Sequence, residues 1–153
     1  MNAFIFTIVA GLVGTLGMSL AMWLITKSGI ANAEMIRAIG SLFTKSYDKS
    51  FEPGLIVHLI SGILFAFLYV ILISIFAPTS LVAAIGAGAM IGVFHGVAFG
   101  FLLVVTVAEH HPLEQFRNAG FEVAIAHFVG HVIYGILVGL VVGLSGARIF
   151  LLI

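Results

Sequence analysis

Apolar residues dominate four long stretches of the sequence, separated by shorter polar stretches. Each apolar stretch is long enough to cross a bilayer, which takes about 20 helical residues. The strict alternation of apolar and polar positions that is typical of strands does not occur. Backbone groups in lipid must be hydrogen-bonded within their own segment, so each stretch is predicted to be a helix. We place the four helices at about residues 3–26, 54–76, 81–108 and 120–145.

The connections between these helices carry their own patterns. Pro78 lies in the short Ala77–Ser80 turn, which makes the second and third helices an antiparallel hairpin, and Pro53 suits a first helical turn. The long first connection contains apolar residues at helical spacing, and that spacing predicts a short interfacial helix over about residues 31–43. Its apolar positions are Met35, Ile36, Ile39, Leu42 and Phe43, opposite Glu34, Arg37 and Ser41.

The chain also repeats itself in part. Val57-His58-Leu59 aligns with Ala126-His127-Phe128, so that His58 corresponds to His127. Such a repeat predicts two tandem helical hairpins related by an axis along the membrane normal. The predicted fold class is therefore all-α: a single transmembrane domain over residues 1–153, built as an integral membrane four-helix bundle.

Composition supports a lipid environment. Hydrophobic residues make up 62% of the 153 residues and charged residues only 8%, against about 25% charged in soluble domains. The formal net charge is zero, which argues against a nucleic-acid partner, because binding to phosphates requires an excess of Lys and Arg. The chain has no Cys, which excludes disulfides, iron–sulfur clusters and thiolate-bound zinc.

The charged residues predict an orientation. We call side B the end of the bundle that holds the first and third connections. Five of the six basic residues and all six acidic residues lie at side B, whereas Arg148 lies at the other end. By the positive-inside rule, side B faces the cytoplasm of a bacterial inner membrane and both termini lie outside. The first apolar stretch has no basic residue ahead of it, so we expect a spanning helix there and not a signal peptide.

Glycines form stripes on the last two spanning helices. In the third helix they recur at every fourth residue, and in the fourth helix at the same interval. Such stripes allow the backbones of neighbouring helices to approach closely, and they can also leave room for a flat ligand such as a macrocycle or a quinone. The glycines are Gly88, Gly92, Gly96 and Gly100, followed by Gly135, Gly139 and Gly143.

Four histidines lie within the predicted spanning helices. At about 1.5 Å per residue, His95 and His131 both lie about 17–20 Å from side B, near the bilayer midplane. His127 is one turn from His131 on the same helical face. His58 and His127 lie nearer to side B, towards Glu122. Polar groups at such depth are costly, which makes them candidates for function.

The histidines have four interpretations. They can be neutral and hydrogen-bonded between helices, which is a structural role. His95 and His131 can be the axial pair of a haem b. They can relay protons towards Glu122 and Glu109, because imidazole titrates near neutral pH. Finally, they can bind a transition metal, since an i, i+4 pair chelates well; that predicted site consists of His58, His127, His131 and Glu122.

Short segments in three of the helices carry a family resemblance. The chain resembles families of uncharacterised four-helix bacterial membrane proteins, and this resemblance implies a compact bundle of bacterial type. It implies no reaction and no catalytic residue. The segments are Ala10-Gly11-Leu12-Val13-Gly14-Thr15-Leu16-Gly17-Met18-Ser19, His58-Leu59-Ile60-Ser61-Gly62 and Gly130-His131-Val132-Ile133-Tyr134-Gly135.

The sequence favours a non-catalytic role. No nucleophile, base and oxyanion arrangement is discernible, and we expect no catalytic residue. The main hypothesis is a small integral membrane subunit of a larger membrane complex, for example a respiratory or energy-transducing one, with lipid and other membrane subunits as partners. The alternative is an autonomous four-helix protein that carries haem, quinone, metal or protons on its midplane histidines.

Overall fold

The computed structural model describes residues 3–145, and every regular element in that range is helical. Two of the helices are short and lie in connections, and one spanning helix is divided by a π-helical segment. The elements are α1 (Ala3–Lys27), α2 (Met35–Thr44), α3 (Phe51–Phe76), α4 (Leu81–Gly96), the π segment (Val97–Leu103), α5 (Val104–Glu109), α6 (Glu114–Arg117) and α7 (Phe121–Ser145).

Four helical spans in residues 3–145 are long and apolar enough to cross a membrane. They are α1, α3, the continuous run Leu81–Glu109, and α7, so the prediction of an all-helical bundle of four spans is confirmed. The boundaries agree within a few residues, and Pro53 lies in the first turn of α3. The interfacial helix begins at Met35 and not at residue 31.

The third span differs most from the prediction. Its α-helix ends at Gly96 and continues as the π segment before α-helical geometry returns at Val104. A π turn is wider than an α turn, and such turns occur frequently at functional sites. Apolar periodicity does not distinguish an α turn from a π turn over seven residues, so this segment could not be predicted from the sequence.

Helix α7 organises the bundle. It packs along α4 on one side and along α1 on the other, and α1 in turn packs along α3. Around the bundle the order is therefore α3, α1, α7, α4. Helices α3 and α4 are joined by a short turn and run antiparallel, as predicted, yet contact between them is much less extensive.

The contact between α4 and α7 is made by backbone. A Cβ atom placed on Gly88 would collide with the Gly135 carbonyl oxygen, and one on Gly139 would collide with the Ala84 carbonyl oxygen. A Cβ on Gly92 would come within 2.8 Å of the His131 carbonyl oxygen. The glycine stripes therefore allow the close helix packing that the sequence predicts.

The two hairpins, α1 with α3 and α4 with α7, pack through equivalent positions. The alignment that pairs His58 with His127 also pairs the positions on α3 and α7 at which the partner helix comes closest. These observations fit the predicted tandem repeat. The equivalent contacts are Gly11 with Ala66 and Gly88 with Gly135, and then Thr15 with Gly62 and Gly92 with His131.

Helix α2 lies against the side-B end of α3. The positions of Gly40 and Gly54 admit no side chain, because a Cβ on either would collide with a backbone oxygen of the other helix. Ser41, which the sequence assigns to the polar face, is fully buried and bonds the Arg37 carbonyl oxygen at 2.6 Å. Phe43 is 67% exposed. The polar side of α2 therefore packs onto the protein at Ser41. Its apolar residues are divided, because Met35 is buried and Ile39 packs on the core, whereas Leu42 and Phe43 are exposed, as suits a helix end at a lipid surface.

Glycine packing can be tested by a matched pair of variants in α4. Gly88→Ala should lower the free energy of unfolding by about 1–3 kcal/mol, the usual cost of overpacking, because the new methyl group meets backbone that cannot move aside. Gly86→Ala is the control, since nothing lies within 4 Å of a Cβ there, and it should leave stability unchanged or raise it by up to about 1 kcal/mol, because alanine favours a helix over glycine. Unfolding in mixed micelles measures both. Equal effects of the two changes would contradict the packing described above.

Candidate functional site

A cavity of about 320 Å³ lies between the four spans. This volume falls in the range of about 300–1,000 Å³ that is typical of small-molecule sites. At side B the exposed side chains of Asn32, Gln115 and Glu122 line its mouth. Thr15 and Tyr134 line its inner end, deep in the bundle. The cavity therefore runs from the polar end of the molecule towards the middle of the bundle.

Histidine is the characteristic residue of this cavity. Five of the six histidines of the chain line it: His58, His95, His111, His127 and His131. The sixth, His110, is exposed and its ring nitrogen bonds the Thr106 carbonyl oxygen instead. Residues far apart in the sequence thus converge on one space.

The two histidines of α7 have a defined tautomer. Nδ1 of His127 lies 2.8 Å from the Val123 carbonyl oxygen, and Nδ1 of His131 lies 2.7 Å from the His127 carbonyl oxygen. A carbonyl oxygen only accepts, so each Nδ1 must carry the proton and donate it. In the neutral ring, Nε2 then holds a free lone pair. That nitrogen lies on the edge of the ring away from the helix backbone.

His58 has the opposite tautomer. Its Nε2 lies 3.1 Å from the hydroxyl oxygen of Ser19, and this hydroxyl donates its single hydrogen to the Thr15 carbonyl oxygen at 2.7 Å. The Ser19 oxygen is therefore an acceptor towards His58, and Nε2 of His58 must donate. The lone pair of neutral His58 lies on Nδ1.

The three histidines that carry these lone pairs line the cavity. Among the described residues, one buried side-chain polar atom is both sealed from solvent and without a hydrogen-bond partner, and that atom is Nε2 of His95. The acceptor nitrogens of His58, His127 and His131 have no protein partner in the described part of the chain, yet they are not sealed. Since all three residues line the cavity, their lone pairs are available to whatever occupies it.

His95 lies in a cluster of aromatic rings at the inner end. Its Nδ1 lies 3.0 Å from the Tyr69 hydroxyl, and its ring centroid lies 4.4 Å from those of both Phe65 and His131. The depth estimate from the sequence therefore correctly brings His95 and His131 together. Their rings touch, so binding of a haem iron between them would require the rings to move apart. The haem assignment stays a prediction.

The predicted metal ligands share the cavity without converging. Within residues 3–145, no group of three or more His, Asp or Glu side chains is placed so that it could hold a metal ion. His58, His127 and His131 lie along the walls, while the exposed Glu122 lies at the mouth. The metal site, like the haem site, stays a prediction.

Several polar residues of the site were not singled out from the sequence. The Tyr134 hydroxyl donates to the Gly62 carbonyl oxygen at 2.5 Å and so bridges α7 and α3 beside the cavity. Tyr69 and Ser19 orient His95 and His58. Glu34 is a further cavity residue. Spacing along one helix cannot identify such residues, because each of them acts through a contact with a different helix.

A hydrogen-bonded cap surrounds the mouth. Nδ1 of His111 accepts from the Leu113 backbone N–H, so its Nε2–H donates to the Ala38 carbonyl oxygen of α2 at 3.0 Å. The Tyr47 hydroxyl donates to the Glu34 carboxylate at 2.9 Å. Burial and this carboxylate raise the pKa of Tyr47 above its usual value of about 10. These contacts fix α2 and its flanking loops over the entrance.

The charge of the cavity has one sign. The acidic residues Glu34 and Glu122 line it, and no Lys or Arg is among the described residues that do. The remaining surface is mainly apolar, with Met18, Ile39 and Phe65 among the contributors. The arrangement provides carboxylates at the mouth, imidazole acceptors along the walls and an apolar body between them.

Comparison of the chain with protein-family models, with curated proteins and with solved structures finds no match. The resemblance to four-helix bacterial membrane proteins stays a prediction.

The tautomers can be tested by ¹⁵N NMR of histidine-labelled protein in detergent micelles. His127 and His131 should each show a protonated Nδ1 and an unprotonated Nε2, because Nδ1 donates to a carbonyl oxygen in both. His58 should show the reverse, because its Nε2 donates to the Ser19 oxygen. Ser19→Ala should release His58 from this preference and leave the other two unchanged. The same tautomer at all three positions would contradict the assignment.

The cap predicts a pH effect at Tyr47. Its raised pKa means that folding favours the protonated phenol, so this contribution to stability is present below about pH 10 and is lost as the pH rises through the higher pKa of the folded state. Ultraviolet titration should show Tyr47 ionising above the pH at which free tyrosine does. Glu34→Gln should lower that pKa, because it removes the negative charge beside the phenol. The Tyr47→Phe variant identifies which part of the ultraviolet titration belongs to Tyr47. A Tyr47 pKa that is the same in Glu34→Gln would contradict the role of the Glu34 carboxylate.

Proposed function

We propose that this protein is a membrane-embedded carrier that binds a small amphiphilic molecule through O–H or N–H donors on that molecule. The observation that carries the proposal is that His58, His127 and His131 line a single cavity, and that one nitrogen of each ring has no protein donor in the described part of the chain. A polar group in such a position is satisfied by a ligand or by water.

The chemistry of the lining selects the class of ligand. Free imidazole lone pairs accept hydrogen bonds, so they favour hydroxyl groups, protonated amines and other donors. Two carboxylates and no described basic residue disfavour anions and favour cations at the mouth. The mostly apolar walls suit an apolar body, as small-molecule sites usually do. A hydroxyl-bearing aromatic compound or a hydrophobic amine combines these features.

The cofactors considered from the sequence fit this class to different degrees. A quinone in its reduced form presents two hydroxyl donors on a flat apolar ring, which matches both the acceptors and the walls. A haem would require the touching rings of His95 and His131 to separate. A metal ion would require His58, His127 and His131 to converge from their positions along the walls. We therefore propose an organic ligand in preference to a haem or a metal ion.

A subunit role is compatible with the same cavity. The outward faces of the spans carry large apolar side chains such as Leu16, Leu64 and Phe94, and these suit lipid or a neighbouring membrane subunit equally. We propose the carrier role because the cavity lies within one chain and needs no partner to form its lining. We further propose that side B faces the cytoplasm of a bacterial inner membrane, on the basis of the basic residues at that end.

The proposal predicts that the protein retains a ligand when it is extracted from its own membrane in mild detergent. Native mass spectrometry should show the mass of the chain plus that of a small organic molecule. His131→Asn and His127→Asn should each reduce the occupied fraction, because asparagine does not place an acceptor where Nε2 lies. His110→Asn is the matched control, since His110 lies outside the cavity, and it should leave the occupied fraction unchanged.

Other masses would overturn the carrier proposal in specific ways. Co-purified polypeptides around an empty chain would favour the subunit role. Extra mass equal to haem or to a metal ion, lost in His95→Asn or His58→Asn, would favour those cofactors. A bare chain, or a ligand that persists equally in all the histidine variants, would leave the histidines with a structural role in holding the helices together.

A further inference from the structure

The four seams between neighbouring spans are closed in different ways. Glycine makes the contact in three of them. Gly88 and Gly135 close the α4–α7 seam, and Gly11 lies against Ile63 and Ala66 in the α1–α3 seam. In the α1–α7 seam, a Cβ on Gly14 would reach the ring of Tyr134, and one on Gly130 would reach Met18. Such contacts are rigid where backbone meets backbone.

The α3–α4 seam is closed by aromatic rings instead. Phe65 of α3 meets His95 of α4 at 4.4 Å and Phe99 of the π segment at 5.3 Å between ring centroids. One side-chain hydrogen bond, between Tyr69 and His95, links the two helices beside these rings. The helices themselves make limited contact. Rotatable side chains and not backbone therefore fill this seam.

The same rings separate the cavity from the outside of the bundle. Phe65, His95 and Phe99 all line the cavity, and all three are also partly exposed. On the outside, the neighbouring positions are apolar and strongly exposed, with Leu64 at 64% and Phe94 at 71%. The outer surface at this depth suits lipid hydrocarbon. At this depth the α3–α4 seam is therefore closed by side chains that also line the cavity.

The π segment departs from α-helical geometry on the α4 side of the seam. It begins at Val97, directly after His95 and Gly96, and it carries Phe99. π turns are wider than α turns, occur frequently at functional sites and are one cause of helix kinks. Its opposite face rests on α7, where Gly100 lies close to Ala124 and Phe128. Movement of Phe99 would therefore leave the α4–α7 contact in place.

We propose that the α3–α4 seam is a lateral portal through which the ligand exchanges with the bilayer, and that Phe65 and Phe99 form its gate. This inference rests on the proposed carrier function and narrows the ligand to a molecule that dissolves in the bilayer. The ligand enters between the helices, and its donor groups then reach the imidazoles of α7.

The chain has no cysteine, so a single introduced thiol can report on access to the cavity. Ser61→Cys places a thiol in the lining, one helical turn from Phe65 on α3. The protein is reconstituted in liposomes and treated with N-pyrenylmaleimide, which partitions into the bilayer, or with a cationic, membrane-impermeant methanethiosulfonate. The labelling rate is then measured for each reagent.

An open gate should speed labelling from the bilayer alone. In the Ser61→Cys background, Phe65→Ala and Phe99→Ala should each raise the pyrenylmaleimide rate about tenfold, as if a barrier had fallen by about 1.4 kcal/mol. Phe65→Trp should lower that rate. Phe67→Ala is the matched control on α3, because Phe67 packs on Phe4 and is not a cavity residue, and it should have no effect.

The impermeant reagent serves as the control for folding. Its rate should stay the same in all of these variants, whereas a rise with both reagents would mean that the gate variants loosen the whole bundle, and the portal would be rejected. Pyrenylmaleimide rates that do not change in Phe65→Ala or Phe99→Ala would also overturn the portal and assign entry to the side-B mouth. The carrier function is judged separately, by the bound mass in native mass spectrometry, so a retained ligand with an unaffected labelling rate would remove the portal alone.

Discussion

The close approach of α7 to α4 is the contact on which the rest of the molecule depends. Gly88 and Gly135 let two backbones meet, so α7 packs closely along α4 and still contacts α1 on its other side. In lipid, apolar side chains gain little by leaving one apolar phase for another, and tight packing between small residues has to hold helices together. Because glycine has no side chain, the helices pack closely in these seams. Larger side chains line the cavity along the inner face of α7.

The histidines show how a packing role and a binding role can be combined. His127 and His131 each use one ring nitrogen to satisfy a carbonyl of their own helix, which fixes the orientation of the ring. Nε2 of His58 donates to Ser19 of α1 and so links α3 to α1. The second nitrogen of each ring remains available. Structural and functional interpretations of these residues are therefore not exclusive, since the bond that orients a ring also determines which chemistry its other edge presents.

The sequence was most informative where one helix acts alone. Apolar length gives the four spans, and helical depth correctly places His95 and His131 at the same level. It was least informative where two elements combine. The α7 histidines were singled out by their own spacing, whereas Tyr69 and Ser19 acquire their roles only when α3 meets α4 and α1 meets α3. The burial of Ser41 and the π segment were not predicted for a similar reason. Tertiary contacts and local helix geometry do not change the periodicity of apolar residues.

The distribution of acceptors over the two hairpins has a mechanical consequence. His127 and His131 belong to α7 and keep their separation whatever the neighbouring helices do, because their orienting bonds lie within that helix. His58 belongs to the other hairpin and is held there by Ser19. A ligand that bonds residues on both sides therefore spans the two halves of the molecule and restricts their relative motion. Under the proposed carrier function, ligand binding would therefore make the bundle more rigid.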